Sequence, residues 1–180
     1  MTGTAEVRTA HTSSLTTAEH RAIRELLDEA FDGDFTDEDH EHGLGGMHAL
    51  IWADLMLIAH GSVVMRRLFH AGRSLRTGYV ESVAVRSDQR GRGHGHAVMA
   101  ALEEIIQGGY EIGALSTSEA AFGFYASRGW QLWTGTASVL SPRGLVRTPE
   151  EEGGIYLLPM SARLAAGGDL ACDWRDGDVW

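Results

Sequence analysis

Lysine is absent. All 15 basic residues of this 180-residue chain are arginine, set against 25 Asp and Glu, so the formal charge is −10. A surface of that sign repels nucleic acid and anionic membranes and attracts cationic small molecules. Acidity also serves simply to keep a protein soluble. Without lysine there is no Gly-Lys-Ser/Thr phosphate loop. Cysteine is nearly absent too: Cys172 stands alone, which excludes an intrachain disulfide and suits a reducing, cytoplasmic compartment. No local motif makes that thiol a nucleophile. Long apolar runs are missing, since residues 49–53 and 55–59 are far too short to span a bilayer. The opening Met-Thr-Gly-Thr-Ala-Glu has neither the basic nor the apolar region of a secretory leader.

What is present is a chain with 43% hydrophobic residues, enough to build the core of one domain over residues 1–180. Residues 5–12 alternate like a strand. Thr16-Thr17-Ala18-Glu19 has the form of a capping box, and Ala22, Ile23, Leu26, Leu27, Ala30 and Phe31 follow at helical spacing until Gly33. Residues 32–46 form an acidic, glycine-rich loop with a short helix from Thr36. His40 and His42 sit there at a spacing poorly suited to a metal, and no ligand set surrounds them, so the expectation is no metal. Two strands over 47–53 and 55–66 make a hairpin at Ala53-Asp54, and a third covers 75–86. A helix over 96–107 presents Val98, Ala101, Leu102 and Ile105. A strand over 112–116, a helix over 118–128, a strand over 130–140, a loop over 142–154 and a last strand over 155–159 complete the order, ahead of a mixed tail, 161–180. This is an α/β (α+β) pattern. The strand, helix and strand around 79–116 require a parallel neighbour pair.

The segment between the third strand and its helix is built for an anion. A dinucleotide fingerprint fails there, because the sixth position from Gly91 is His96. What remains is Arg90-x-x-Gly93-x-Gly95, directly after a strand and directly opening a helix. Such a turn bares backbone N–H groups at the positive end of a helix, where glycines permit close approach of a pyrophosphate. Arg86, Arg90 and Arg92 cluster around it and offer charge-assisted donors.

Val83-Ala84-Val85 followed after four residues by Arg90-Gly91-Arg92-Gly93-His94-Gly95 resembles the acyl-CoA motif of the GCN5-related N-acetyltransferase (GNAT) superfamily. The resemblance implies a mixed, mostly antiparallel sheet with flanking helices, splayed by a bulge at the acetyl-CoA site. It places Val83, Ala84 and Val85 at the pantetheine arm and Arg90, Gly91, Arg92, Gly93, His94 and Gly95 at the pyrophosphate. A second segment, Phe124-Tyr125-x-x-x-Gly129-Trp130, resembles the superfamily stretch in which Tyr125 would protonate the departing thiolate. Glu81, two residues before Val83, carries a carboxylate able to take the amine's proton, and Ser116 ends the next strand.

The wider chain resembles a narrower family, the aminoglycoside 2′-N-acetyltransferases, through Gly33-Asp34-Phe35, Leu44-Gly45-Gly46-Met47-His48-Ala49, Gly78-Tyr79-Val80-Glu81, Ser127-Arg128-Gly129-Trp130 and the tail from Cys172 to Trp180. That likeness implies a homodimer and a substrate site walled by Asp34, Glu81, Glu150, Glu151, Glu152, Asp178 and the Trp180 carboxylate, closed by the tail; Ser82 and Ser116 are further candidates to contact substrate, and a Ser at a strand end can equally be structural. Which of the three glutamates touches substrate is open. So are two other readings: an acetyltransferase for another small amine, polyamine or protein amine, and a non-catalytic acyl-CoA-binding module.

Overall fold

The computed structural model describes residues 6–180. The expectations for residues 1–5, including the start of the strand expected over 5–12, lie outside the described residues. The chain divides into two compact units. One comprises residues up to Val64 together with Val80–Ile105, the other Met65–Tyr79 with Ile106–Trp180.

The first unit holds β1 (Val7–His11), α1 (Thr17–Ala30), α2 (Asp37–His42), β2 (Met47–Ala53) and parts of β3 (Met56–His70), β4 (Arg73–Val85) and α3 (His94–Gly109). The capping box of α1 folds as its chemistry dictates, and a second one opens α2. Thr16 accepts from the Glu19 N–H while Glu19 accepts from the Thr16 N–H, and Thr36 and Asp39 repeat the exchange at α2. Each satisfies N–H groups that a helix start leaves without partners. The apolar stripe of α1 buries Ile23, Leu26 and Leu27 among Ala10, Phe35, Leu50, Leu57 and Ala84. β2 pairs antiparallel with β1 and with β3. Asp54 turns the hairpin with φ 53°. α3 buries Val98, Met99 and Leu102. It packs so close that a Cβ on Gly61 of β3 would stand 2.8 Å from Val98.

The second unit carries β5 (Ile112–Ser116), α4 (Phe122–Ser127), β6 (Gln131–Leu132), β7 (Thr136–Ser141), β8 (Gly144–Arg147), β9 (Ile155–Pro159) and β10 (Asp169–Asp173). The strand order is β6-β9-β5-β4-β3-β10-β7-β8. β4 runs parallel to β5, as the strand–helix–strand order requires, and β7 parallel to β10; β5·β9, β6·β9, β3·β10 and β7·β8 are antiparallel. The β4·β5 ladder ends at Tyr79↔Ala114, although β5 continues to Ser116 and stays paired with β9. This mixed, mostly antiparallel sheet with flanking helices is the expected fold class.

Four expected elements differ. The helix over 118–128 is a 3-10 turn, Glu119–Ala121, followed by the short α4, because the Ala121 N–H closes onto Ser118 and Ser118 supplies no side-chain cap. The strand over 130–140 breaks at Gly135, where a Cβ would lie 2.2 Å from the Gly168 carbonyl. Trp133 still bonds to Ile155, but Thr136 bonds to Gly168, so the chain changes partners there. The loop over 142–154 contains β8, paired with β7. The strand over 155–159 is not the last: the tail supplies β10, set between β3 and β7 with Leu170, Ala171 and Cys172 buried. Among the described residues no helix is long and apolar enough to cross a membrane.

Candidate active site

In the first unit, β4 carries Glu81, Ser82, Val83, Ala84 and Val85. Ser82 has φ 54°, a left-handed conformation inside a strand that costs a residue with a Cβ of order 1–2 kcal/mol. A left-handed residue inside an otherwise extended strand is the mark of a β-bulge. The Glu81 carbonyl accepts from the Ser62 hydroxyl at 3.4 Å, and the Ser82 carbonyl from the His60 ring at 2.9 Å. Past Ser82, the Arg86 N–H donates to the Ile58 carbonyl of β3 at 2.9 Å.

A 3-10 turn at Ser87–Gln89 leads to Gly91 (φ 73°) and Gly93 (φ 85°), and α3 opens at His94. Both glycines adopt a backbone that side chains disfavour, and no heavy atom lies within 4 Å of where a Cβ would stand. That open, positive-φ turn at a helix start fits a diphosphate, with Arg90 and Arg92 exposed beside it. Arg90 donates to the Val85 carbonyl at 3.3 Å. Arg86 is engaged otherwise: Glu29 and Asp88 hold its guanidinium at 3.1 and 3.4 Å, so it braces the turn. Asp34 is exposed in the turn after α1, its N–H bonded to the Phe31 carbonyl.

In the second unit, α4 sets Tyr125 in an aromatic nest of Phe124, Trp130 and Tyr156, with ring centroids 5.1, 6.1 and 6.4 Å away. Burial pushes its phenol up to about 12, so the group keeps its proton at neutral pH. Ser116, at the end of β5, donates to the Glu151 carboxylate at 3.4 Å. Burial, then the charge of Asp178, raise the Glu151 carboxyl above its usual range, and Glu150 adds to the effect. Glu150, Glu151 and Asp178 therefore form an acidic group at Ser116. Glu152 is set apart: Arg147 grips it at 2.9 and 3.1 Å and it accepts the Ala137 N–H, which holds its carboxyl low.

The chain end is firmly anchored. The Trp180 indole is buried and donates to the Thr148 hydroxyl at 3.0 Å. Arg175 donates to the Asp178 carbonyl at 2.7 Å and to the terminal Trp180 oxygen at 3.0 Å. Arg175 and Arg66 also lie over the Tyr79 ring, 5.5 and 4.8 Å from its centroid. Cys172 is buried beside the Val179 carbonyl, and burial pushes its thiol up to about 11, which keeps it unreactive. Among the described residues no group of three or more His, Cys, Asp or Glu is arranged for a metal.

Nothing in the sequence assigned a role to His48, His60, Ser62 or Arg175. The two histidines had a signal, since each interrupts an apolar strand at a core-facing position, as Met-His-Ala-Leu-Ile and Leu-Ile-Ala-His.

Residues 11–133 match the family model described as an acetyltransferase (GNAT) domain. An aminoglycoside 2′-N-acetyltransferase of Mycolicibacterium fortuitum is 50% identical over 177 residues, covering 96% of this chain and 91% of that one. Among solved structures, Escherichia coli ElaA superposes with a TM-score of 0.62 at 19% identity, over 87% of this chain and 99% of its own. A GNAT family acetyltransferase from Brucella melitensis, in complex with acetyl-CoA, gives a TM-score of 0.62 at 11% identity, over 96% and 98%. Those two share the fold; the family is shown by the model match over residues 11–133 and by the half-identical relative, and the chain belongs to the GNAT acetyltransferases.

Proposed function

We propose that the chain transfers the acetyl group of acetyl-CoA to the 2′-amino group of aminoglycosides, by direct attack in a ternary complex. The observation that carries the reading is the acidic group of Glu150, Glu151 and Asp178 at Ser116, on a chain half identical throughout to a relative bearing that activity. A carboxyl raised by burial and then by its acidic neighbour gains much from a cation, and aminoglycosides carry several ammonium groups. Each ammonium–carboxylate pair near 4 Å is worth roughly 1 kcal/mol in water-like surroundings and about 4 at intermediate dielectric, before desolvation.

Acetyl-CoA, held at Val83, Ala84 and Val85 and at the turn from Arg90 to Gly95, supplies the thioester. Glu81 takes the amine proton. The amine nitrogen bonds to the carbonyl carbon, the C–S bond breaks, and Tyr125 gives its proton to the sulfur. Ser82 and Ser116 position the substrate, and Asp34, Asp178 and the Trp180 carboxylate add acid; Glu152 stays with Arg147. A homodimer in the cytoplasm fits this reading, supported by the exposed Leu140, Leu145 and Val146 on β7 and β8 and by the lone buried thiol. Light scattering at twice the chain mass tests the dimer; the mass of one chain would refute it.

The deciding experiment incubates the enzyme and acetyl-CoA with aminoglycosides bearing or lacking a 2′-amine and with cellular polyamines, then locates the acetyl group by mass spectrometry and NMR. A 2′-N-acetyl product, and none from the 2′-hydroxy drugs, is expected. Faster turnover on a polyamine would favour the other reading. In the same assay Tyr125→Phe should lower kcat by about 100-fold while leaving acetyl-CoA affinity nearly intact; unchanged kcat would remove the tyrosine from the chemistry.

A further inference from the structure

A buried chain of hydrogen bonds ends on the bulge of β4, and with both of its histidines neutral its direction follows from donor and acceptor chemistry. The Ser82 carbonyl only accepts, so His60 Nδ1, 2.9 Å away, carries a proton. A neutral His60 then has a bare Nε2, and His48 Nδ1 at 2.9 Å must donate to it. His48 Nε2 is bare in turn and takes the proton of the Thr12 hydroxyl at 2.8 Å, nearer than the competing Gly46 carbonyl at 3.2 Å. That hydroxyl already accepts from the N–H groups of Gly45 and Gly46, at 2.9 and 3.2 Å. Every proton in the series thus points one way, from the Gly45-Gly46 backbone to the Ser82 carbonyl. Both rings are 1% exposed, and burial, the leading cause, lowers His48 to about 4 and His60 to about 3, which keeps both neutral at physiological pH.

The geometry of the bulge gives the chain its purpose. In a regular strand successive carbonyls point to opposite edges. Here the carbonyls of Glu81 and of Ser82 are both taken by side chains of β3, Ser62 and His60, two residues apart on one face. The left-handed backbone of Ser82 turns both carbonyls to that side, and such a conformation persists only when its surroundings over-determine it.

We propose that the neutral His48–His60 pair is a positioning device for acetyl-CoA: by pinning the Ser82 carbonyl it locks the bulge and so fixes the backbone edge at Val83, Ala84 and Val85 along which the pantetheine arm lies. The inference rests on the reading of that edge as the acetyl-CoA site. It also gives the Leu44-Gly45-Gly46-Met47-His48 segment a physical role. Gly46 must lack a side chain, because a Cβ would sit 2.0 Å from the Val63 carbonyl, and its N–H joins that of Gly45 in orienting Thr12.

The test is calorimetric binding of coenzyme A, with no amine present, to wild type, His60→Phe and His60→Asn. The Asn amide can stand where the ring Nδ1–H stood. His60→Phe should weaken binding by about tenfold and His60→Asn should restore most of it. A lesion confined to folding would lower the melting temperature without that pattern of loss and rescue. Equal affinities in wild type and His60→Phe would overturn the proposal while leaving the acetyl-CoA site intact; no binding to wild type would overturn the site itself. If His60→Phe does not fold, nitrogen-15 spectra of the wild-type rings decide. Both should be Nδ1–H tautomers, with the His60 signals shifting on adding coenzyme A. Nε2–H tautomers, or a His60 indifferent to coenzyme A, would refute the proposal.

Discussion

Glu150, Glu151 and Glu152 are adjacent in sequence and have different partners in space. Glu151 faces Ser116 and the Asp178 charge, whereas Glu152 is tied by Arg147 and the Ala137 N–H. Glu151→Gln should therefore raise KM for aminoglycosides by about tenfold and leave that for acetyl-CoA alone, since it removes a charge facing a cation. Glu152→Gln breaks an exposed ion pair of a kind that contributes little, and should hardly alter kinetics. Steady-state assays of the two variants decide, and equal shifts in KM would end the distinction. A run of three glutamates announces acid, but not which one Arg147 will hold. The glycine turn was legible because its requirements are local: positive φ at Gly91 and Gly93 and a helix start at His94. The histidine chain was not. His48 and His60 meet only through the β2·β3 register, and His60 reaches Ser82 only through the bulge.

Elements show the same division between local and distant causes. The strand–turn–helix from β4 to α3 carries its own signals. β10 does not: Asp169–Asp173 is five residues of mixed character, made a strand by β3 on one side and β7 on the other. Its placement turns the tail from an appendage into part of the core, and it changes how the terminal carboxylate must be tested. Deleting Val179 and Trp180 would also remove a buried indole and its bond to Thr148, at a cost of roughly 3–5 kcal/mol. Adding a single glycine after Trp180 keeps the indole and displaces only the carboxylate. Aminoglycoside KM should then rise several-fold, with the melting temperature and the acetyl-CoA KM held. An unchanged aminoglycoside KM would take the terminal carboxylate out of the substrate site.

For the whole molecule the buried histidines set how stability responds to acid. An unfolded histidine titrates near 6.5, whereas His48 and His60 in the fold do so at about 4 and about 3. Below pH 6.5 the unfolded chain thus binds protons that the folded chain refuses, and stability, full above that value, falls as pH drops. At pH 5 the loss approaches roughly 2 kcal/mol for each ring, a large share of a typical domain's 5–15. The depressed carboxylates Glu19, Asp37, Glu111 and Glu152 lose stability in the same direction, but only as pH falls below their unfolded values, near 4.5 and below. Glu151 runs the other way, since its raised carboxyl favours the fold as it is protonated. The interval from pH 6.5 to pH 5 therefore belongs mainly to the histidines: His48 and His60, with His40, whose imidazole burial also lowers, adding in the same direction. Urea unfolding midpoints should decline steadily across it in wild type, and much less in His48→Phe/His60→Phe, if that variant folds. A flat wild-type profile between pH 7 and pH 5 would mean that the rings are not the neutral, buried pair on which the bulge of β4 depends.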